Sequence, residues 1–194
     1  MKTGIIRYSA GNIYSVSMAL ERLGASYLVS DDPDILQLCD RIIFPGVGEA
    51  ASALKDLDSK GLTEFIKRYD RPFLGICLGM QILCRDTEEN NACGLGIFSP
   101  KVRIFRAELK IPHMGWNTLH RLNSVLFTDI PEESSVYFVH SYYAEQSEES
   151  SSICHYGLDF SSSLEKDNIY GVQFHPEKSG ETGSKILQNF LEKT

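Results

Sequence analysis

The segment Phe73 to Gln81, FLGICLGMQ, constrains this chain more than any other. An apolar run of strand length ends at Cys77, with Gly75 two residues before the thiol and Gly79 two residues after it, a G-x-C-x-G frame. This is the nucleophile-elbow frame with sulfur in place of oxygen. The nucleophile sits on a sharp strand-to-helix turn in a strained backbone conformation, and larger side chains at the flanking positions would collide. A helix that begins just after the thiol turns its positive end and its unpaired N–H groups toward it, which favours thiolate chemistry. Free cysteines are usually buried and inert. Cys39, Cys84, Cys93 and Cys154 have no such frame, and Cys84 falls on the inner face of the same helix.

The first half of the chain supplies a sheet for that turn. Thr3 to Tyr8 holds a short apolar run, followed by the loop signal SAGN and by Val16, Ala19, Leu20 and Leu23 at helical spacing. Gly24 closes that helix, Tyr27 to Val29 forms a second strand, and Asp32 before Pro33 opens a short helix. Arg41 to Phe44 is a third apolar run that stops at PGVG, and Ala50 to Tyr69 reads as helix interrupted at Gly61, before Pro72 introduces the strand FLGI. Strands alternating with helices predict βαβ units, a parallel sheet covered on both faces, and ligands at the carboxyl ends of the strands.

The second half reads differently. KVRIF, SVYFVHSYY, SICHYG and IYGVQF are short strand-like runs, EQSEESSS (Glu145 to Ser152) reads as a solvated loop, and a helix from about Gly183 to Lys193 closes the chain. With no repeat and no composition break, residues 1–194 read as one α/β domain: a mixed, mostly parallel sheet with helices on both faces.

Composition excludes several classes of function. A formal charge of -7 without clustered Lys and Arg argues against a nucleic-acid groove. The five cysteines form no CxxC pair and no zinc spacing with histidine, which predicts a reduced compartment and no metal or other cofactor. No window approaches the roughly 18 apolar residues of a membrane span, and the amino terminus lacks a leader-like apolar stretch, so the expected location is the cytoplasm.

A thiol nucleophile needs a base and something to hold the base, and GVQFHPEKSG offers both. Residues i and i+2 of an extended chain face the same side, so His175 and Glu177 project together from a strand end that Pro176 terminates. His175 takes the thiol proton and later protonates the leaving amine, while Glu177 fixes the imidazole tautomer and stabilises its cation. His113, His120, His140 and His155 have no acid at useful spacing and read as structural or exposed. Attack on an amide creates an oxyanion that needs prearranged backbone donors. PGVG is the expected source through the N–H of Val47 or Gly48, with the N–H of Leu78 at the helix start.

GICLGMQ together with HPE resembles the triad-type, or class I, glutamine amidotransferases, over nearly the whole chain. More narrowly, PGVG, PHMGWN, YFVHSYY and GVQFHPEKSG are similar to the amidotransferase subunits of imidazole glycerol phosphate synthase. The resemblance implies that Cys77, His175 and Glu177 form the triad, that Gln81 grips the substrate L-glutamine, and that Gly46, Ser141 and Tyr142 add substrate contacts. It implies a heterodimer with a (β/α)8-barrel cyclase, to which ammonia passes internally for histidine biosynthesis, and no nucleic-acid or membrane partner.

Asn12, Trp116, Asn117, Tyr137 and Lys178 lie in motifs that resemble the partner-facing surface. Trp116 and Tyr137 fit an interface anchor or a core position equally well. Where such sequences carry an acidic residue before Tyr-Gly or Thr-Gly, this chain has Arg7-Tyr8-Ser9-Ala10, which bears on how the first loop meets its partner. Two other readings are an amidotransferase serving a different synthase, of anthranilate type or sugar-amidating, and a catalytically silent scaffold.

Overall fold

The computed structural model describes residues 1–9, 11–106 and 110–194, so Ala10 of the departing first loop lies outside the described residues. In the first half, strands β1 (Lys2–Ile6), β2 (Ser26–Ser30), β3 (Arg41–Gly46) and β4 (Phe73–Cys77) alternate with helices α1 (Ile13–Arg22), α2 (Pro33–Leu36), α3 (Ala50–Ser59) and α4 (Leu62–Arg68). The helix starts follow capping chemistry. The Asp32 carboxylate accepts from the Asp34 N–H at 2.9 Å, and Glu49 accepts from the N–H groups of Ala51 and Ser52 at 2.9 and 3.0 Å. Gly61 separates α3 from α4, as the sequence predicts.

Helix α5 (Leu78–Leu83) follows the elbow, and then come β5 (Asp86–Thr87), β6 (Ala92–Cys93), β7 (Lys101–Ile104), β8 (His113–Thr118), β9 (Ser135–His140), β10 (Tyr142–Ala144), β11 (Ser150–His155), β12 (Asp159–Lys166), β13 (Ile169–Val172) and α6 (Gly180–Lys193). The main sheet runs β2-β1-β3-β4-β13-β12-β10-β7-β5-β6, with β11 paired to β12, and β8 with β9 makes a separate ribbon. Its β2-β1-β3-β4-β13 part is parallel, and β13 joins β12 antiparallel.

Two apolar layers cover the sheet. Phe44, Leu57, Phe65, Phe73 and Met80 belong to the layer under α3, α4 and α5, and Val16, Leu20, Phe174, Ile186 and Phe190 to the layer under α1 and α6. Covered on both faces, β3 and β4 are buried at every position, which is why they read as continuous apolar runs. Register then places the chemistry. Gly46 pairs with Cys77 and Val172 pairs with Ile76, so the loops leaving β3 and β13 emerge on either side of the elbow.

Four readings of the sequence change. β3 runs on through Pro45 to Gly46, because β1 pairs with it only as far as Ile43 and a proline is tolerated where one neighbour remains. SVYFVHSYY splits at Ser141, with β9 in the ribbon and β10 in the main sheet. EQSEESSS is not wholly a solvated loop, since Ser150–Ser152 begin β11 and Ser151 and Ser152 are buried. Cys84 is buried at the cap of α5 rather than inside it.

Candidate active site

Cys77 ends β4 with φ 55° and ψ -110°, a left-handed backbone that costs a non-glycine residue about 1–3 kcal/mol. The glycines around it are there for close packing. A Cβ on Gly79 would strike the Phe44 carbonyl oxygen, and one on Gly75 would lie 2.9 Å from the backbone of Gly79 and Met80. Helix α5 can therefore lie directly on β3 and β4 with the thiol at the turn.

His175 reaches this thiol from the end of β13. Its backbone N–H donates to the Tyr137 carbonyl at 2.9 Å, and Ser179 ties the turn by donating to the His175 carbonyl at 2.6 Å while accepting from the Tyr137 N–H at 2.9 Å. Pro176–Lys178 form a 3-10 turn rather than an extended chain, yet the two side chains meet: His175 Nδ1 donates to Glu177 Oε1 at 2.8 Å. Both side chains are 1% exposed.

The same Glu177 oxygen accepts from Asn12 Nδ2 at 3.2 Å, so the side chain of Asn12, a residue expected at the partner surface, reaches the His175–Glu177 pair. His175 Nε2 is buried without a partner of normal hydrogen-bond geometry, and the Cys77 thiol is close enough to act on it. Burial by itself disfavours an imidazolium there. The hydrogen bonds to Cys77 and Glu177 and the charges on both override burial and push the His175 pKa up to about 10. A cation is thus stabilised between a carboxylate and a sulfur.

A cavity of about 360 Å³ opens over this pair, a size that suits a small amino acid. Val47, Gly48, Leu78, Gln81, Ser141 and Tyr142 line it with Cys77 and His175, so all the expected oxyanion and substrate residues but one reach it. The exception is Gly46, which backs the elbow beneath, where an added Cβ would lie 2.8 Å from the Gly79 nitrogen. Gly48 has φ 107°, which favours glycine, in keeping with a PGVG turn set by its glycines.

Other residues at the site were not legible as functional. Glu89 lines the cavity, and burial together with the charge of Glu49 pushes its pKa up, the electrostatics of a carboxylate lacking a cation. His140 lines it too. Gln173, fully buried, donates to Cys77 Sγ at 3.6 Å. The Tyr8 hydroxyl is buried beside Gly46 without a partner, and burial and then the charge of Cys77 raise its pKa. In the sequence these residues sit in apolar or polar runs that carry no catalytic spacing. His155, read as lacking an acid, meets Asp159 at 2.7 Å on the surface.

Of the residues expected to face a partner, Trp116, Asn117 and Tyr137 lie on the ribbon. Trp116 is 59% exposed, its ring centroid 6.1 Å from that of half-buried Tyr137, and Met114 beside it is 60% exposed. Lys178 is exposed, whereas Asn117 spends its side chain on the His155 carbonyl and on His113. Among the described residues, no cluster of His, Cys, Asp or Glu could hold a metal, and no helix is long and apolar enough to cross a membrane.

An elbow thiol on a parallel sheet, backed by a buried His-Glu pair, belongs to a recognisable class of protein, and residues 6–194 match the family "Glutamine amidotransferase class-I". The chain belongs to that family. Within it, the chain is 50% identical to imidazole glycerol phosphate synthase subunit HisH of Bacteroides fragilis over 99% of this chain and 100% of that one. It is 46% identical to the subunit of the same name from Methanosarcina barkeri, over 97% and 96% of the two chains. The fold is shared with a solved glutamine amidotransferase at TM-score 0.75 and 18% identity, covering 98% of this chain and 97% of that one. It is shared also with PurLQS from Thermotoga maritima at TM-score 0.72 and 20% identity, covering 99% and 98%.

Proposed function

We propose that this chain is the glutaminase subunit of an imidazole glycerol phosphate synthase, a single amidotransferase domain that hydrolyses glutamine through a Cys77 thioester and passes the ammonia to a cyclase. The observation that carries the reading is the imidazole of His175, bonded to Glu177 at 2.8 Å on one nitrogen and turned toward the elbow thiol with the other.

The steps follow from the donors and acceptors at hand. The Cys77 proton passes to His175 Nε2, whose cation the site stabilises, and Sγ then attacks the carboxamide carbon; the oxyanion takes N–H bonds from Val47 or Gly48 and from Leu78. The tetrahedral adduct collapses as His175 returns the proton to the departing nitrogen, releasing ammonia and leaving a thioester. Water, deprotonated by His175, then attacks the thioester; glutamate leaves and the thiol is restored. Glu177 holds the ring and the charge throughout, and Asn12 holds Glu177. Gln81, Ser141 and Tyr142 contact the substrate, and Gly46 allows the turn above them. Glu89, half-buried at the cavity wall, is the carboxylate that meets the α-ammonium of the substrate.

The relatives' name, a synthase subunit, supports a second subunit; the sequence resemblance makes that partner a (β/α)8-barrel cyclase that consumes the ammonia, in a cytoplasmic heterodimer. The ribbon, through Trp116, Tyr137 and neighbouring Lys178, is the docking face, and it lies against the turn that carries His175. Cys77→Ala should abolish glutamine-dependent synthesis by the complex and leave synthesis from added ammonium intact. Equal loss of both would refute the division of labour.

A further inference from the structure

One carbonyl near the thiol sets the direction of a buried chain of hydrogen bonds. The Tyr142 carbonyl can only accept, and it takes bonds from His140 Nδ1 at 2.7 Å and from Gln81 Nε2 at 3.0 Å. On the first side, burial pushes the His140 pKa down to about 3 and that of His113 to about 4, so each neutral ring carries one N–H. With His140 Nδ1 donating to the carbonyl, its Nε2 must accept from His113 Nδ1 at 3.0 Å, and His113 Nε2 must accept from Asn117 Nδ2 at 3.3 Å.

On the other side, the Gln81 nitrogen spends its second hydrogen on Gln173 Oε1 at 2.9 Å. The oxygen end of the Gln173 carboxamide is thereby occupied, and its nitrogen faces Cys77 Sγ at 3.6 Å. An amide nitrogen donates and takes no proton, so the thiol proton has no acceptor in that direction. It is left to His175 Nε2, which has no competing partner.

We propose that Gln173 is a further catalytic residue, which donates a hydrogen bond to the Cys77 sulfur, favours its thiolate and turns the thiol proton toward His175. Gln81, fixed by the Tyr142 carbonyl, decides which end of the carboxamide meets the sulfur. The inference rests on Cys77 being the nucleophile and adds a donor to it. A hydrogen bond donated to a charged atom is stronger than one to a neutral atom, so the contact strengthens as the proton leaves.

The test is alkylation of Cys77 in the full chain by iodoacetamide across a pH series, followed on the Cys77 peptide by mass spectrometry, beside glutaminase kinetics. Gln173→Met keeps the chain length and cannot donate; Gln173→Leu removes the polar group with a shorter side chain. His175 and Tyr8, the titratable groups around the sulfur, are unchanged in both.

For each variant the pH of half-maximal alkylation should rise by about one to two units, and kcat should fall about tenfold to a hundredfold with KM within about threefold. Gln81→Met leaves Gln173 in place but free to turn, and it should move the alkylation midpoint the same way, which keeps the proposal testable if substitutions at Gln173 do not fold. Midpoints that stay at the wild-type pH would overturn it. Because alkylation needs no glutamine, this result is distinct from the nucleophile assignment, which falls only if Cys77→Ala still hydrolyses glutamine.

Discussion

Glu177→Gln separates holding a ring from charging it. The carboxamide keeps the side-chain shape and an oxygen able to accept from His175 Nδ1, now bonded to the carboxylate at 2.8 Å. It loses the negative charge opposite the imidazolium, and its amino end falls where Glu177 Oε2 is buried without a partner. A charge-assisted bond contributes about 1.5–3 kcal/mol against about 1 for a neutral one, and an orphaned buried donor costs about 1–3 kcal/mol. The orphaned donor weakens the folded chain with or without substrate, so the transition state loses only the charge-assisted share, about 0.5–2 kcal/mol, or about twofold to thirtyfold in kcat/KM at about 1.4 kcal/mol per decade.

The pH dependence should move with it. A His175 pKa raised above the ordinary 6.5 to about 10 contributes stability that is complete below about 6.5 and disappears as pH rises through about 10. Without the Glu177 charge the folded value falls, so both the high-pH limb of the rate and the high-pH loss of stability should shift toward neutral. Glutamine hydrolysis rates and thermal melts between pH 6 and pH 10.5 read both effects, with ammonium-dependent synthesis as the control. A variant equal to wild type in kcat/KM, with both limbs unmoved, would show that Glu177 does no more than fill space.

Gly79→Ala should destabilise the chain by about 1–3 kcal/mol or more, because its Cβ meets the Phe44 backbone carbonyl rather than a yielding side chain; urea unfolding with an unchanged midpoint would contradict the close packing of α5 on β3. Trp116→Ala should leave the melting temperature of the isolated chain within a degree or two of wild type, since an exposed ring contributes little to the fold, while weakening binding to the cyclase about thirtyfold or more, read by titration calorimetry. Unchanged affinity would remove the ribbon from the interface.

The parallel half of the fold was legible because its signals are local. Apolar runs, helix caps and Gly61 each declare themselves within a few residues, and the G-x-C-x-G and H-P-E spacings mark two strand ends that the β4 to β13 register brings together. The antiparallel half hid itself through serine. DFSSSLEK forms the eight-residue β12, and its buried Ser161, Ser162 and Ser163 read as polar because hydropathy does not register that their hydroxyls pair at 2.7 Å with Ser150, Ser151 and Ser152 across the strands.

The contacts of Asn12 with Glu177 and of Gln173 with Cys77 span 165 and 96 residues, and no spacing rule reaches that far. Glu89 lies in a polar run, and only the fold shows it entering a cavity.

The central claim is that one thiol of five does the chemistry. Of the others, Cys39, Cys84 and Cys154 are buried and Cys93 is exposed. A glutamine analogue bearing an electrophilic diazoketone in place of the carboxamide, incubated with the chain and its cyclase, followed by intact mass and peptide mapping, tests the claim. One adduct per chain, located on Cys77 and blocked by excess glutamine, is the expected result. Labelling of exposed Cys93 instead, or labelling that glutamine does not slow, would contradict it.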